Sequence, residues 1–372
     1  MRIIIVTNAF FPENSPRSFR ATELAKEFSR QGHMVTVLTH LHSGQQELVE
    51  KFGIKIKELG NLRYKPIAIK GSGLALLVRR IVARFLGLLI EYPDIQLVPL
   101  VNKLLKKESG YDMLISLAVP FPVHWGVARC YKKGGKLAKV WVADCGDPFM
   151  GNRSDSFRKP FYFKYVEKWF SRKTDFITIP IEAARNAYYK EFHDKIRVIP
   201  QGIDFEEYTP EKEEFMKNEV PVFCYAGSFI KDHRDPRNFI DYLLEQKTEF
   251  AFHIFTNNIS LIEDQVARSG GRIIVHEYIP RKELIGKMSK MDFLINIENS
   301  TSVQAPSKLI DYYLAGRPVL SISTKEIDKS KVNQFFEGNY SDALPFKDYE
   351  RFKIQNVAKA FIDLVPATQA KP

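Results

Sequence analysis

The chain has 372 residues, of which 45% are hydrophobic and 27% charged, the composition of a folded protein of about two domains. This composition excludes a disordered, collagen-like or multi-spanning membrane protein, and three widely separated cysteines exclude a disulfide framework. The net charge of +11 comes from the first half: residues 1–180 hold 29 Lys and Arg against 15 Asp and Glu, whereas residues 181–372 hold 26 against 29. This asymmetry favours an anionic partner for the first half.

Apolar runs alternate with helical patterns along the whole chain, and the order at residues 2–38 returns at 222–255. Strands are predicted at residues 2–6, 34–38, 113–116, 140–143, 222–226, 250–255, 273–275, 293–297 and 319–322. Such alternation requires parallel pairing and right-handed crossovers. The sequence therefore predicts an α/β fold with two Rossmann-like doubly wound parallel-sheet domains, 1–205 and 206–351, and a cleft between them. A C-terminal helix within 352–372 that packs on the first domain is part of this expectation.

Residues 74–90 are apolar apart from Arg79, Arg80, Arg84 and small residues. One interpretation is an interfacial helix on an anionic bilayer, and the other is a core helix with one solvated basic stripe. Nucleic acid is the rival anionic partner, because aromatic and basic residues mix at 158–170. The chain has no recognised nucleic-acid module, so we do not expect nucleic-acid binding.

The loop after the strand ending at Ala226 carries three cations, Lys231, Arg234 and Arg237. Loops at the carboxyl ends of parallel strands are where binding residues concentrate, and Lys and Arg neutralise a diphosphate without a metal ion. The alternative is a solvated charged turn. The chain has no dinucleotide-binding glycine motif, no phosphate-binding Gly-x-x-x-x-Gly-Lys loop, no Asp-x-Asp pair and no zinc spacing. We therefore expect no metal and no cofactor.

The segment 304–318 predicts a helix that begins near Ser307 and ends at Gly316. Free backbone amides near Ser307 and Lys308 favour a phosphate, and the carboxylate of Asp311, one turn on, suits ribose hydroxyls. The alternative is an ordinary amphipathic helix, and the two interpretations are compatible because they use opposite faces.

In this order and spacing the segments resemble glycosyltransferase family 4, the retaining transferases of the GT-B fold. The resemblance is carried by the proline-containing first loop and by residues 32–38, 198–204, 225–228, 306–308 and 316–318. It implies a UDP- or GDP-sugar donor on the C-terminal domain and an acceptor on the N-terminal domain.

The resemblance also implies roles for single residues. The family's Glu-x7-Glu motif places its second Glu on Asp311 and its first on Val303, beside Gln304 as a substitute. Lys308, Arg234 and Asp147 are the expected catalytic residues. The expected donor-binding residues are Gly227, Ser228, Lys231, Arg234, Arg237, Gln304, Ser307, Lys308 and Asp311. The expected acceptor-side residues are Asn14, Arg17, His124 and Asp147.

The expected activity is metal-independent hexosyl transfer to a lipid-linked acceptor of bacterial capsule or lipopolysaccharide. The expected place is the cytoplasm, at the inner face of the cytoplasmic membrane. Two alternatives stay open. One is a family member that binds nucleotide or glycan without catalysis, because Val303 replaces a motif Glu, and the other is a nucleotide-sugar epimerase on the same fold.

Overall fold

The computed structural model describes residues 1–152, 157–210, 216–298, 308–346 and 348–366. The chain forms two compact units. Unit 1 is Met1–Ile203 together with the chain from Arg351 on, and unit 2 is Asp204–Glu350.

Unit 1 contains a seven-stranded sheet in the order β3-β2-β1-β4-β5-β6-β7. Every neighbouring pair is parallel. The strands are β1 (Arg2–Val6), β2 (Met34–Thr39), β3 (Lys55–Glu58), β4 (Tyr111–Ala118), β5 (Ala138–Cys145), β6 (Phe176–Ile179) and β7 (Ile196–Val198). From β1 the strand order runs outward in one direction to β2 and β3 and in the other direction to β4 and beyond, so the topological switch point lies between β1 and β4. Ligands bind at such a switch point in open α/β sheets.

The helices between these strands are α1 (Pro16–Arg30), α2 (Gln45–Phe52), α3 (Gly73–Ile90), α4 (Leu97–Leu105), α5 (Pro122–Cys130) and α6 (Phe163–Lys173). The start of α1 is fixed by its sequence: the Ser15 side chain accepts a hydrogen bond from the amide of Ser18, and Pro16 occupies the first turn. No residue of α3 is buried, so the interpretation of 74–90 as a core helix is wrong. Within the described residues, no helix is long and apolar enough to cross a bilayer.

Unit 2 contains a five-stranded parallel sheet in the order β10-β9-β8-β11-β12. Its strands are β8 (Val222–Ala226), β9 (Ala251–Phe255), β10 (Ile273–His276), β11 (Phe293–Ile297) and β12 (Val319–Ile322). Its helices are α7 (Phe205–Tyr208), α8 (Arg237–Glu245), α9 (Glu263–Arg268), α10 (Arg281–Met288), α11 (Lys308–Ala315) and α12 (Lys329–Phe336). The switch point lies between β8 and β11. Both sheets confirm the predicted doubly wound parallel arrangement.

The core around α1 and the core of unit 2 differ in their share of aromatic side chains. In unit 1, aliphatic residues dominate, with Ile5 of β1 in register between Val37 and Ile115. In unit 2, the Phe223 ring stacks on Phe252 and Phe293, with ring centroids 4.8 Å and 4.6 Å away. Parallel strands covered on both faces are continuously apolar, which is why the sequence shows them so clearly.

The last described helix, α13 (Ile354–Ile362), belongs to unit 1 rather than to unit 2, which precedes it in the chain. Its apolar face joins the core of unit 1 through Val357, Ala358 and Phe361. The Phe361 ring meets Phe28 of α1 edge-on, at a centroid distance of 6.4 Å. A segment far along the chain therefore completes the core begun by α1.

Candidate functional site

The loop after β8 leaves the sheet at the switch point of unit 2 through a turn that needs glycine. Gly227 has φ +139°, and a Cβ there would lie 3.2 Å from the hydroxyl oxygen of Tyr225. That hydroxyl donates to the carbonyl oxygen of Ser228, 3.2 Å away. Gly227 and Ser228 thus shape the start of the loop around the Tyr225 ring.

Lys308 opens α11, the helix that follows β11, and its side chain points into the protein. Its Nζ is buried 4.5 Å from the centroid of the Tyr225 ring and has no hydrogen-bond partner among the described residues. Burial, with repulsion from nearby Arg234 added, lowers the pKa of Lys308 to about 7. An unpaired buried ammonium is costly, and an anion bound beside it would lower that cost.

Arg234 is held beside this lysine by a tight backbone turn. Its amide donates to the carbonyl of Ile230 at 2.8 Å, and the amide of Ile230 donates back to the carbonyl of Arg234 at 3.1 Å. Asp232 takes the left-handed conformation, φ 63°, between them. The turn leaves Lys231 exposed at its tip and Arg234 half-buried at its base.

Arg237, the third predicted cation of the loop, is engaged locally. Its Nη2 lies 2.6 Å from Oδ2 of Asp235, and its Nε lies 2.9 Å from Oδ1. These hydrogen bonds from Arg237 lower the pKa of the Asp235 carboxyl. The pair is close to neutral, which leaves Lys231, Arg234 and Lys308 as the positive groups of this loop and helix start.

Asp311 lies one turn after Lys308 and binds Arg281, the first residue of α10. Nε and Nη2 of Arg281 lie 2.7 Å and 2.5 Å from Oδ1 of Asp311. Burial raises the pKa of Asp311, and the charge of Arg281 opposes that rise. The guanidinium of Arg281 also lies 5.4 Å from the centroid of the Tyr208 ring. The sequence did not predict Arg281 as part of the site.

Three residues of the predicted donor site, Val303, Gln304 and Ser307, lie outside the described residues.

In unit 1, two predicted acceptor-side residues meet although 130 positions separate them. Nη2 of Arg17, in the first turn of α1, lies 2.8 Å from Oδ2 of Asp147, in the loop after β5. The guanidinium rests on the bare backbone of Gly146, where a Cβ would lie 1.5 Å from Nη1. Both side chains keep some solvent exposure. Asn14 is exposed in the loop just before α1.

His124 lies in the core of unit 1, fully buried at the start of α5. Its Nδ1 is 2.8 Å from Oγ of Ser116, and its Nε2 is 3.4 Å from Sγ of Cys145. Burial lowers the pKa of His124 to about 3, so the imidazole is neutral at physiological pH. This environment gives the ring a structural place, and contact with an acceptor stays a prediction.

A second Arg–Asp pair lies beside Arg17 and Asp147, and sequence reasoning missed it. Arg20 and Asp144 are both buried and form a bidentate pair, with Nη2 2.9 Å and Nε 3.1 Å from the two carboxylate oxygens. Thr178 donates to Asp144 at 2.6 Å. Burial acts to raise the pKa of Asp144, but the charge and hydrogen bonds of Arg20 outweigh it, and the pKa is lowered. The available signal was the matched spacing, since two arginines three apart in α1 face two aspartates three apart, one near the end of β5 and one in the loop after it.

The sequence profile of glycosyltransferase family 4 matches residues 19–207, half of the chain. The chain belongs to glycosyltransferase family 4. The resemblance that its motifs suggest is thereby confirmed. No sequence among the curated proteins matches this family 4 chain.

Solved structures of similar fold cover nearly the whole of this family 4 chain. A glycosyltransferase from Rickettsia africae ESF-5 has a TM-score of 0.63 at 11% identity, covering 98% of this chain and 97% of its own. HepE of Anabaena, solved in complex with UDP, has a TM-score of 0.59 at 13% identity, with coverages of 98% and 95%. The apo lipopolysaccharide outer core galactosyltransferase WaaB has a TM-score of 0.58 at 13% identity, with coverages of 98% and 99%. These likenesses establish the GT-B fold for this chain.

Proposed function

We propose that this family 4 member is a retaining glycosyltransferase that binds a UDP- or GDP-sugar in unit 2 and transfers its sugar, a hexose, to a glycan acceptor held by unit 1. The observation that carries the proposal is the buried ammonium of Lys308, which has no hydrogen-bond partner in the described part of the chain and lies next to Arg234 at the switch point of unit 2. The UDP bound in the similar HepE structure supports a nucleotide donor.

The departure of a nucleoside diphosphate leaves negative charge on its phosphate oxygens. Lys308 and Arg234 stabilise that charge where it develops, and this is the way in which pre-oriented cations accelerate a reaction. An incoming diphosphate also raises the pKa of Lys308, so the ammonium is fully protonated when the sugar leaves. We assign this role to the two side chains in place of a metal ion, and we propose that neither a metal nor another cofactor is needed.

On unit 1, the Arg17–Asp147 pair supplies the polar groups for the acceptor. Asp147 accepts a hydrogen bond from an acceptor hydroxyl, and Arg17 fixes the position of that carboxylate. We propose a lipid-linked glycan of bacterial capsule or lipopolysaccharide as the acceptor. The enzyme then works in the cytoplasm, as a peripheral protein at the inner face of the cytoplasmic membrane.

The test combines nucleotide binding with product analysis. A thermal-shift screen of UDP, GDP, ADP and their sugar conjugates finds the donor, and calorimetry measures its affinity. Lys308→Ala and Arg234→Ala should each weaken binding about 10- to 100-fold, as expected for hydrogen bonds to a charged group. Arg268→Ala, at an exposed arginine on α9, is the control and should bind like the wild type.

Transfer or slow hydrolysis of the donor, insensitive to a chelator, supports the proposal. Binding without sugar release would instead make the protein a non-catalytic binder. An isomerised sugar still joined to its nucleotide would make it an epimerase. Activity lost to a chelator and restored by manganese would contradict the role given to Lys308 and Arg234.

A further inference from the structure

Helix α3 presents an unusually apolar surface to solvent. Its residue Leu74 is 76% exposed and Phe85 is 59% exposed. The exposed large apolar side chains of the helix are Leu74, Leu77, Val78, Ile81, Val82, Phe85 and Ile90. Contiguous exposed apolar patches of this kind mark interaction sites.

The side chains of α3 are arranged for an interface between an apolar and a charged phase. At about 100° per residue, the six exposed apolar positions from Leu74 to Phe85 fall within an arc of about 140°. Arg80 and Arg84 lie at one edge of this arc, and Arg79 lies beyond the other edge. An apolar face flanked by arginines is the pattern of a helix that lies in the plane of a bilayer surface.

A second segment, residues 157–165, extends this face. The Tyr162 hydroxyl donates to the carbonyl oxygen of Leu89, and the Arg84 guanidinium lies 5.5 Å from the centroid of the Phe157 ring. Lys159 forms an ion pair with Glu91, the residue after α3. In this segment Phe161 is 72% exposed and Tyr165 is 60% exposed, whereas the Phe163 ring is buried. We call α3 together with residues 157–165 the α3 surface.

The charges of the α3 surface are of one sign. Residues 73–90 contain three arginines and no Asp or Glu, and residues 157–165 contain three Lys and Arg without an acid. Lipid phosphates match that charge, and each basic residue near an anionic membrane adds attraction. Aromatic rings with a polar edge, such as Tyr165, favour the boundary between headgroups and acyl chains.

We propose that the α3 surface docks the protein on an anionic lipid bilayer, with the apolar arc and the rings of Phe157 and Phe161 between the acyl chains and the arginines on the headgroup phosphates. This inference specifies which surface meets the membrane, and it rests on the proposed function for the identity of the acceptor as a lipid-linked glycan. The binding itself does not depend on sugar transfer, so the two can fail separately.

The experiment uses the full chain and two kinds of vesicle, phosphatidylcholine alone and phosphatidylcholine with phosphatidylglycerol. Co-sedimentation should show binding to the anionic vesicles that weakens as salt rises. Phe161→Ser and Ile81→Ser should each weaken binding at least about tenfold, because each removes a large side chain that leaves water. Leu41→Ser, at a residue of unit 1 that is 56% exposed and outside the α3 surface, is the matched control.

A second readout tests insertion directly. In a Phe161→Trp variant, brominated lipids should quench the added emission. Equal vesicle binding by all variants, or no binding, would overturn the proposal. The proposal would also be overturned if no variant bound lipid and Phe161→Ser instead abolished self-association of the chain or its retardation of DNA in a gel. Because the substituted residues are exposed and lie in unit 1, the thermal shift caused by nucleotide should persist in every variant. A wild-type protein that shows no such shift would contradict the donor site and leave the lipid proposal standing.

Discussion

Lys308 should destabilise unit 2 while its site is empty, because folding moves its ammonium out of water. Replacing it with Met keeps the volume and removes the charge. The pKa falls from 10.5 to about 7, and at about 1.36 kcal/mol for each pKa unit this corresponds to roughly 5 kcal/mol. Lys308→Met should therefore raise the free energy of unfolding of unit 2, by about 4 kcal/mol at pH 7.

The pH dependence of this gain distinguishes charge from packing. The folded pKa lies below the unfolded one, so the unfolded state binds more protons between pH 7 and 10.5. The cost of Lys308 is thus complete below about pH 7 and fades as the pH rises. The advantage of Lys308→Met should shrink to about 2 kcal/mol at pH 9.

Hydrogen–deuterium exchange is the suitable assay, because all three tryptophans lie in unit 1 and report nothing on unit 2. Peptides covering β8 and β11 should exchange about 1000-fold more slowly in nucleotide-free Lys308→Met than in the wild type at pH 7, and about 30-fold more slowly at pH 9. Lys282→Met, at an exposed lysine of α10, should leave the rates unchanged. A gain of the same size at both pH values, or no gain, would refute the reasoning.

Two further substitutions test unit 1. Gly146→Ala places a methyl group where the Arg17 guanidinium lies, so the flexible arginine side chain should move away. Sugar transfer should fall at least about tenfold, while the free energy of unfolding, followed by tryptophan fluorescence, should change by less than about 1 kcal/mol. Unimpaired transfer would contradict the role of the Arg17–Asp147 pair. Arg20→Ala leaves the buried Asp144 uncompensated and should lower the free energy of unfolding by about 3 to 5 kcal/mol. In the wild type the contribution of Asp144, whose pKa is lowered, should be present above pH 3.8 and lost below it, and acid titration of Arg20→Ala should lack that loss.

The strands that the sequence predicted are mostly apolar along their length, including the edge strands β10 and β12. β1, β8 and β11 are almost wholly apolar because neighbouring strands and helices surround them. Three strands were missed. β6 is a four-residue interior strand whose apolar run is too short to stand out in the sequence. β3 and β7 are short edge strands with polar residues, and each exists only through pairing with one neighbour. Their apolar content alone does not indicate a strand.

The candidate site divides in the same way. Lys308 and Arg234 could be placed together from the sequence, because each follows one of two strands that neighbour each other at a switch point. The pairing of Asp311 with Arg281 depends on how α10 packs against α11, which no local pattern encodes. The donor and acceptor roles of these residues stay predictions.

The placement of α13 has a consequence for synthesis of the protein. The residues that cover Phe28 and Ala25 of α1 leave the ribosome only after the whole of unit 2, about 150 residues after Ile203. At a synthesis rate of roughly 5 to 20 residues per second, the apolar surface of α1 stays exposed to solvent for about 8 to 30 s. Unit 2 needs no such late arrival. A stop codon just after unit 2 would therefore prevent unit 1, which is synthesised first, from completing its core, and it would leave the folding of unit 2 unaffected.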